Sequence, residues 1–331
     1  MNEFELIDVF LEAFALRPPP AGPGDDAAVL PPTPRAQVVT TDAVVEGVHF
    51  SRRTFSLGDV GHKALAVNLS DVAAMGARPT WALCALQLPV GVTASEVRAL
   101  SAGMAALAAA HGVSLVGGNV TRGRELSVTV TVAGEVPSGR RPLTRKGARP
   151  GHRVYVSGPL GSAAAGVEVL SAAAARGPGP VKVERAWDAL VAAQRRPSPH
   201  VRWGLEASRF ASSSIDVSDG LVQDLSHVCD ASGVGVALTS GALPVLEALL
   251  LWCESERDVL RAALTGGEDY VLAVTVPPSR CRAFERRLSR LGFGAFPIGV
   301  VTKARGLTVD GRRFEGRSGF QHFGEGSARR R

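Results

Sequence analysis

Apolar residues at Phe4, Ile7, Phe10, Leu11 and Phe14 recur at helical spacing, which predicts an amphipathic helix over 3–16. The Pro-Pro-Pro-Ala-Gly-Pro-Gly run at 18–24 stops it. Adjacent carboxylates, Asp25 and Asp26, then stand at the mouth of an apolar strand ending in Val29-Leu30. A second apolar strand closes at Gln37-Val38-Val39 and leads into T-T-D-A-V-V-E-G-V-H-F at 40–50. Residues 57–77 predict a long helix whose apolar surface is broken by one polar stripe, Lys63, Asn68 and Asp71. A strand over 81–88, an Ala-rich helix over 93–111 and a strand over 113–116 follow. That strand is expected to run into a turn, G-G-N-V-T-R-G at 117–123, with exposed backbone N–H groups able to hold phosphate. Val128, Val130 and Val132 alternate strictly and predict a strand over 126–135.

The Pro-, Gly- and Arg-rich segment 137–149 reads as a domain junction. Beyond it, strands at 153–156, 214–217, 234–238, 271–276, 296–301 and 306–309 alternate with helices at 162–175, 183–195, 221–232, 260–265 and 281–291. Two domains of α+β or α/β type with mixed sheets are expected: 1–137, 148–323, and a basic, disordered tail at 324–331.

Composition narrows the function little. With 331 residues, 45% hydrophobic and 21% charged, the chain is long enough for two cored domains. No apolar run suits a bilayer and the acidic start Met1-Asn2-Glu3 is unlike a signal peptide, so a cytoplasmic protein is expected. The net charge of +6 favours anionic substrates. Arginine is scattered, lysine occurs only at 63, 146, 182 and 303, and aromatics are 5%, so a generic basic surface is favoured over nucleic-acid binding. Cys84, Cys229, Cys253 and Cys281 are far apart and read as free thiols.

The chemistry lies in the acidic clusters. Asp25, Asp26, Asp42, Asp71, Asp216 and Asp219 each fall at a strand end or inside an apolar helix. Carboxylates brought together raise one another's pKa and call for cations. Hydroxyl and carboxylate oxygens are the hard donors Mg²⁺ takes when it also holds phosphates. The chain has no G-x-x-x-x-G-K-[ST] and no G-x-G-x-x-G. Phosphoryl transfer, where positioning and charge neutralisation do most of the work, is the reaction implied, and a phosphate acceptor would need no general base.

The motifs G-D-D-A-A, T-T-D-A-V-V-E-G-V-H-F, K-A-L-A-V-N-L-S-D-V-A-A-M-G-A-R-P, G-G-N-V-T-R-G, L-T-R-K-G-A-R-P-G, R-P-S-P, I-D-V-S-D-G-L and G-G-E-D-Y occur in that order. As a set, from Glu3 to Phe323, they resemble the thiamine-monophosphate kinase family, within the ATP-dependent superfamily of aminoimidazole ribonucleotide synthetase, selenophosphate synthetase and a hydrogenase maturation factor. The resemblance implies a two-domain fold like that of aminoimidazole ribonucleotide synthetase, whose N-terminal domain forms a shared β-barrel in a homodimer. It implies ATP-dependent, in-line phosphoryl transfer to thiamine monophosphate, giving thiamine diphosphate and ADP, with several Mg²⁺ ions and no membrane or nucleic-acid partner. By the same resemblance Asp26, Thr40, Thr41, Asp42, Asp71, Asn119, Asp216 and Asp219 would bind metal. Gly118, Asn119, Arg145 and Ser218 would contact ATP, and His49, Glu268 and Phe320 the thiamine phosphate.

Two positions depart from the family pattern. Asn119 stands where aspartate is common, and Phe320-Gln321 where a Trp or Tyr precedes aspartate. The alternatives are a superfamily enzyme with another acceptor and a catalytically weakened nucleotide-binding paralogue. A selenophosphate synthetase is disfavoured because the first cysteine is Cys84.

Overall fold

The computed structural model describes residues 2–18, 21–24, 26–177, 181–315 and 319. The chain forms two compact units. The first comprises Met1–Pro142 with Leu170–Lys182 and Arg195–Leu205; the second comprises Leu143–Val169, Val183–Gln194 and the chain from Glu206 on.

The first unit is built from α1 (Glu3–Leu11), β1 (Gln37–Val45), α2 (Leu57–Ala74), β2 (Arg78–Pro89), α3 (Ala94–His111), β3 (Ser114–Gly123) and β4 (Ser127–Glu135). Each of its helices opens on a reciprocal capping box: Asn2 with Glu5, Ser56 with Asp59, Thr93 with Glu96. α1 stops at Leu11, short of the expected 16. Phe14 still packs on Phe10 from the following turn, ring centroids 5.4 Å apart, so the apolar period outlasts the helix. The sheet has the order β1-β4-β2-β3, antiparallel except for β2 with β3. Val128, Val130 and Val132 on β4 are fully buried, as are most apolar residues of α2 and α3. Those two helices meet backbone to backbone: a Cβ on Gly61 would lie 1.9 Å from the Leu100 carbonyl oxygen, and one on Gly103 1.9 Å from that of Gly58.

Two sequence expectations change here. Thr40, Thr41 and Asp42 do not follow a strand; they lie inside β1, in register with Val132, Thr131 and Val130 of β4. Likewise 117–123 is not a turn. β3 continues through it, Gly117 to Gly123 pairing with Leu83 to Pro89. Glycine-rich segments usually read as turns because glycine weakens strands; here the parallel partner β2 supplies the hydrogen bonds that hold the segment extended.

The second unit contains β5 (Arg153–Val156), α4 (Ser162–Ala175), α5 (Asp188–Arg195), α6 (Val201–Ala207), β6 (Ser213–Asp216), α7 (Leu221–Ser232), β7 (Gly235–Leu238), α8 (Glu247–Trp252), α9 (Glu256–Thr265), β8 (Leu272–Val276), α10 (Pro278–Arg290), β9 (Phe296–Thr302), β10 (Gly306–Val309) and β11 (Arg312–Arg313). α4, α5 and α6 each run across a boundary between the two units. The seven strands lie in the order β11-β10-β7-β9-β5-β8-β6. Both faces are covered. Val154, Val156, Ile215, Val236 and Ile298 share a core with Leu225 and Val228 of α7, while Tyr155 meets Phe284 of α10 edge-on at 5.2 Å. Every residue of β8 is buried, as a central strand demands. Cys84, Cys229, Cys253 and Cys281 are free thiols. Among the described residues no helix is long and apolar enough to cross a membrane.

Candidate active site

The register of β1 sorts its polar residues. Strand side chains alternate, and directly paired residues share a face. Thr40 and Asp42 therefore lie on the face of Val132 and Val130, beneath α2, whereas Thr41 lies on the opposite face with Thr131. The contacts follow that division. Thr40 Oγ1 donates to Asp71 Oδ2 of α2 at 2.5 Å. Thr41 Oγ1 accepts from Thr131 Oγ1 at 3.0 Å and donates to the Val130 carbonyl. Thr40, Asp42 and Asp71 thus form an all-oxygen group on one face, with Asp42 exposed and Asp71 half-buried.

β3 is the sheet's edge strand beside β2, so alternate backbone amides of 117–123 face away from β2. Asn119 pairs with Ala85, which pairs with Thr129, so all three belong to the Thr41 face. A cavity of about 670 Å³ opens there, lined by Asp26, Gly118, Asn119 and Thr131 together with the apolar Phe10, Leu11 and Leu83. The expected metal and nucleotide residues of this unit accordingly divide: Asp26, Thr41, Gly118 and Asn119 border the cavity or its face, and Thr40, Asp42 and Asp71 gather under α2.

His49 sits in the loop after β1, where Gly47 takes φ +82°. Its Nδ1 accepts the Val45 N–H at 3.1 Å, which places the proton of a neutral ring on Nε2. Its carbonyl faces the Lys63 ammonium at 3.5 Å. Lys63 is fully buried and lies 5.4 Å from the Phe55 ring centroid. The R-P-S-P segment docks on the start of α2. Arg196 Nε binds Asp59 Oδ1 at 2.5 Å, and the His62 ring meets the Pro197 carbonyl at 3.0 Å. Burial would raise the Asp59 pKa, but Arg196 and the Ser56 cap outweigh it and hold the carboxyl below its usual range.

In the second unit Asp216 ends β6 and is buried, and Ser218 and Asp219 form the turn into α7. One carboxylate oxygen of Asp224 accepts the N–H groups of Ser218, Asp219 and Gly220 at 3.0, 3.1 and 3.1 Å. Burial and the nearby Asp219 carboxylate push Asp224 up to about 7 against the pull of these donors. Gln223 Nε2 donates to Asp219 Oδ2 at 2.8 Å and orients it. The G-G-E-D-Y turn packs alongside. Glu268 N–H reaches the Ser218 carbonyl at 2.7 Å, and Tyr270 N–H that of Val217 at 2.8 Å. Glu268 and Tyr270 hold φ of +67° and +50°, a conformation costly for residues with a Cβ and often stored at functional sites. Between them Asp269 accepts the Gly161 and Ala163 N–H groups at the start of α4, at 2.6 and 3.1 Å, and burial raises it to about 7. Gln194 Nε2 donates to Glu268 Oε2 at 2.7 Å.

Arg145 is exposed, and its carbonyl is anchored by Ser232 Oγ at 3.1 Å. Gly319 approaches the Asp219 carbonyl so closely that a Cβ would sit 2.4 Å from it. Asp25, Phe320, Gln321 and the tail 324–331 lie outside the described residues.

Sequence reading missed Gln194, Gln223, Asp224 and Asp269. An acidic residue in a helix's first turn is ordinary dipole complementation, so nothing in the string separates Asp224 from that. The D of G-G-E-D-Y did lie in a chosen motif, but which of its two acids faces inward is set by backbone torsions. Among the described residues no three His, Cys, Asp or Glu side chains are arranged to hold a metal ion. The Thr40–Asp42–Asp71 group nonetheless suits a hard cation, since all its donors are oxygens and two of them are already in contact.

The chain carries the two domains of the AIR synthase related proteins. The N-terminal domain model of that family matches residues 24–136, its C-terminal domain model matches 149–312, and the chain belongs to it. Within it, the chain is a member of the thiamine-monophosphate kinase family. It is 41% identical to the thiamine-monophosphate kinase of Escherichia coli K12 over 85% of this chain and 84% of the relative, and 34% identical to that of Aquifex aeolicus over 98% of both. The crystal structure of thiamine-monophosphate kinase from Stenotrophomonas maltophilia superposes with a TM-score of 0.82 at 36% identity, covering 94% of this chain and 96% of that one. AaThiL complexed with AMPPCP and TMP superposes with a TM-score of 0.79 at 34% identity over 97% of both chains.

Proposed function

We propose that the chain phosphorylates thiamine monophosphate with ATP, giving thiamine diphosphate and ADP. It is a kinase of the thiamine-monophosphate kinase family, and the similar AaThiL binds AMPPCP, an ATP analogue, with TMP. The observation that carries the reading onto this chain's own residues is the Thr40–Asp71 contact with Asp42 on the same face, an oxygen cluster under α2, while Gly118 and Asn119 border the cavity on the opposite face of the sheet. Thr40, Thr41, Asp42, Asp71, Asp26 and Asn119 from the first unit, and Asp216 and Asp219 from the second, are the proposed magnesium ligands. Magnesium would neutralise the phosphate charges and hold the two nucleophile and leaving oxygens in line.

Gly118, Arg145 and Ser218 bind the nucleotide. His49, Glu268 and Phe320 take the acceptor; the His49 Nε2–H is a donor suited to phosphate, and Glu268 is an anion suited to the cationic thiazolium. A phosphate oxygen is already ionised, so no side chain need remove a proton. The family pattern also implies a cytoplasmic homodimer sharing a barrel through the first sheet. The exposure of Val39 (61%) and Leu83 (38%) on the Thr41 face supports that pairing.

The test is ADP release by the purified protein with ATP and Mg²⁺, with and without thiamine monophosphate, followed by chromatography for thiamine diphosphate. Diphosphate formed only when both substrates are present is the expected result. ATP binding without diphosphate would leave the family standing and remove the acceptor.

A further inference from the structure

We propose that Asp224 is a positioning residue for phosphoryl transfer, its carboxylate fixing the Ser218–Asp219–Gly220 turn that presents Asp219 and Ser218. This deepens the reading above and rests on it for the roles of those two residues.

The turn into α7 has no side-chain cap. α7 begins at Leu221 after Gly220, whose φ of +132° and ψ of +144° place it outside the usual cap conformation and which has no side chain to accept from the first turn. Glycine is required there, since a Cβ would lie 2.9 Å from the Thr265 carbonyl oxygen. With no cap, three successive amides, of residues 218, 219 and 220, converge. Such a concave run of N–H groups is an anion nest. Here the chain fills it from within: Asp224, only 3% exposed and one turn into α7, folds back and satisfies all three with one oxygen.

The Asp219 carboxylate accepts from Gln223, which sits on the same helix turn as Asp224. Carbonyl contacts then tie the turn to Glu268 and Val217 to Tyr270. Asp224 therefore sets the direction in which the Asp219 carboxylate leaves the backbone, without itself reaching substrate.

Two variants, compared with wild type, test this: Asp224→Asn, which keeps shape and an oxygen acceptor but not charge, and Asp224→Ala, which keeps neither. Each is followed by kcat, KM for both substrates, the Mg²⁺ concentration for half-maximal rate, and thermal midpoint. The expected result is a folded Asp224→Asn with kcat at least tenfold lower and a severalfold higher Mg²⁺ midpoint. Asp224→Ala should be worse in the same measures, with KM for thiamine monophosphate within about twofold of wild type. A lower thermal midpoint with an unchanged Mg²⁺ midpoint and kcat per folded molecule would overturn the proposal, because that is the signature of a merely structural cap. If the wild-type chain forms no thiamine diphosphate, the acceptor reading fails separately. Calorimetric binding of Mg·ATP then decides: severalfold weaker binding in Asp224→Asn supports the positioning role, and unchanged binding overturns it.

Discussion

Asp71 illustrates how a single residue's role depends on what it contacts. A carboxylate in so apolar a helix is costly unless paired, and its partner is the Thr40 hydroxyl at 2.5 Å. Removing either should cost catalysis more than folding. Asp42→Ala and Asp71→Ala are expected to lose most turnover while keeping the wild-type circular dichroism spectrum; near-normal rates would strike both from the site. Asn119→Asp adds a charge on the Thr41 face and should lower the Mg²⁺ concentration needed for half-maximal rate, read from a magnesium titration. Gln194→Leu removes the donor that holds Glu268 Oε2. It should raise KM for thiamine monophosphate severalfold and leave KM for ATP unchanged, a split visible in steady-state kinetics. None of these partners could be read from the string, because Gln194 and Glu268 are 74 residues apart and Thr40 and Asp71 are 31.

Among the elements, α2 is the best documented from sequence and the most informative. Its span and its polar stripe follow from local pattern, and the structure adds a capping box at Ser56 and Asp59. Its anchor does not. Asp59 spends one oxygen on the cap and the other on Arg196, far along the chain. Ser56→Ala should cost about 1 kcal/mol in urea unfolding. Arg196→Ala should cost about 0–1 kcal/mol, because its guanidinium is half exposed and solvent screens the pair. A double-mutant cycle showing no coupling between Arg196 and Asp59 would mean the contact is decorative. The strands teach the opposite lesson. T-T-D and G-G-N-V-T-R-G carry local turn signals, yet both are strand, because a neighbouring strand pays the hydrogen-bond cost that composition alone suggests the chain would avoid.

At the scale of the whole molecule, buried or partly buried histidines shape the acid limb of stability. His62, His111 and His152 are all held below their usual pKa, chiefly by burial. His200 keeps some solvent contact, yet desolvation pushes it down to about 4. A histidine depressed in the folded state adds stability that is complete above about 6.5 and is lost as the pH falls toward its folded value. Asp224 and Asp269, raised to about 7, act in the opposite sense, losing their contribution as the pH rises through 7. The clean measurement is therefore a difference: the unfolding free-energy gap between wild type and His200→Gln should narrow from pH 6.5 to pH 4. A gap constant across that window would show that His200 does not titrate on unfolding.

Local pattern determined most of the helices and strands, the α/β alternation, the mixed-sheet class and the acidic motifs, because periodicity, caps and breakers act over a few residues. It located Thr40, Asp42, Asp71 and Asp219 as candidates by residue type, and Glu268 through the family resemblance alone. Tertiary structure alone decided which face each of them occupies, since one step along a strand reverses the face and only the pairing register says which face lies under α2. It alone chose Asp224 to close the anion nest and Gln194 to orient Glu268. Those choices are made by burial and by backbone amides that need acceptors, and neither exists until the chain has folded.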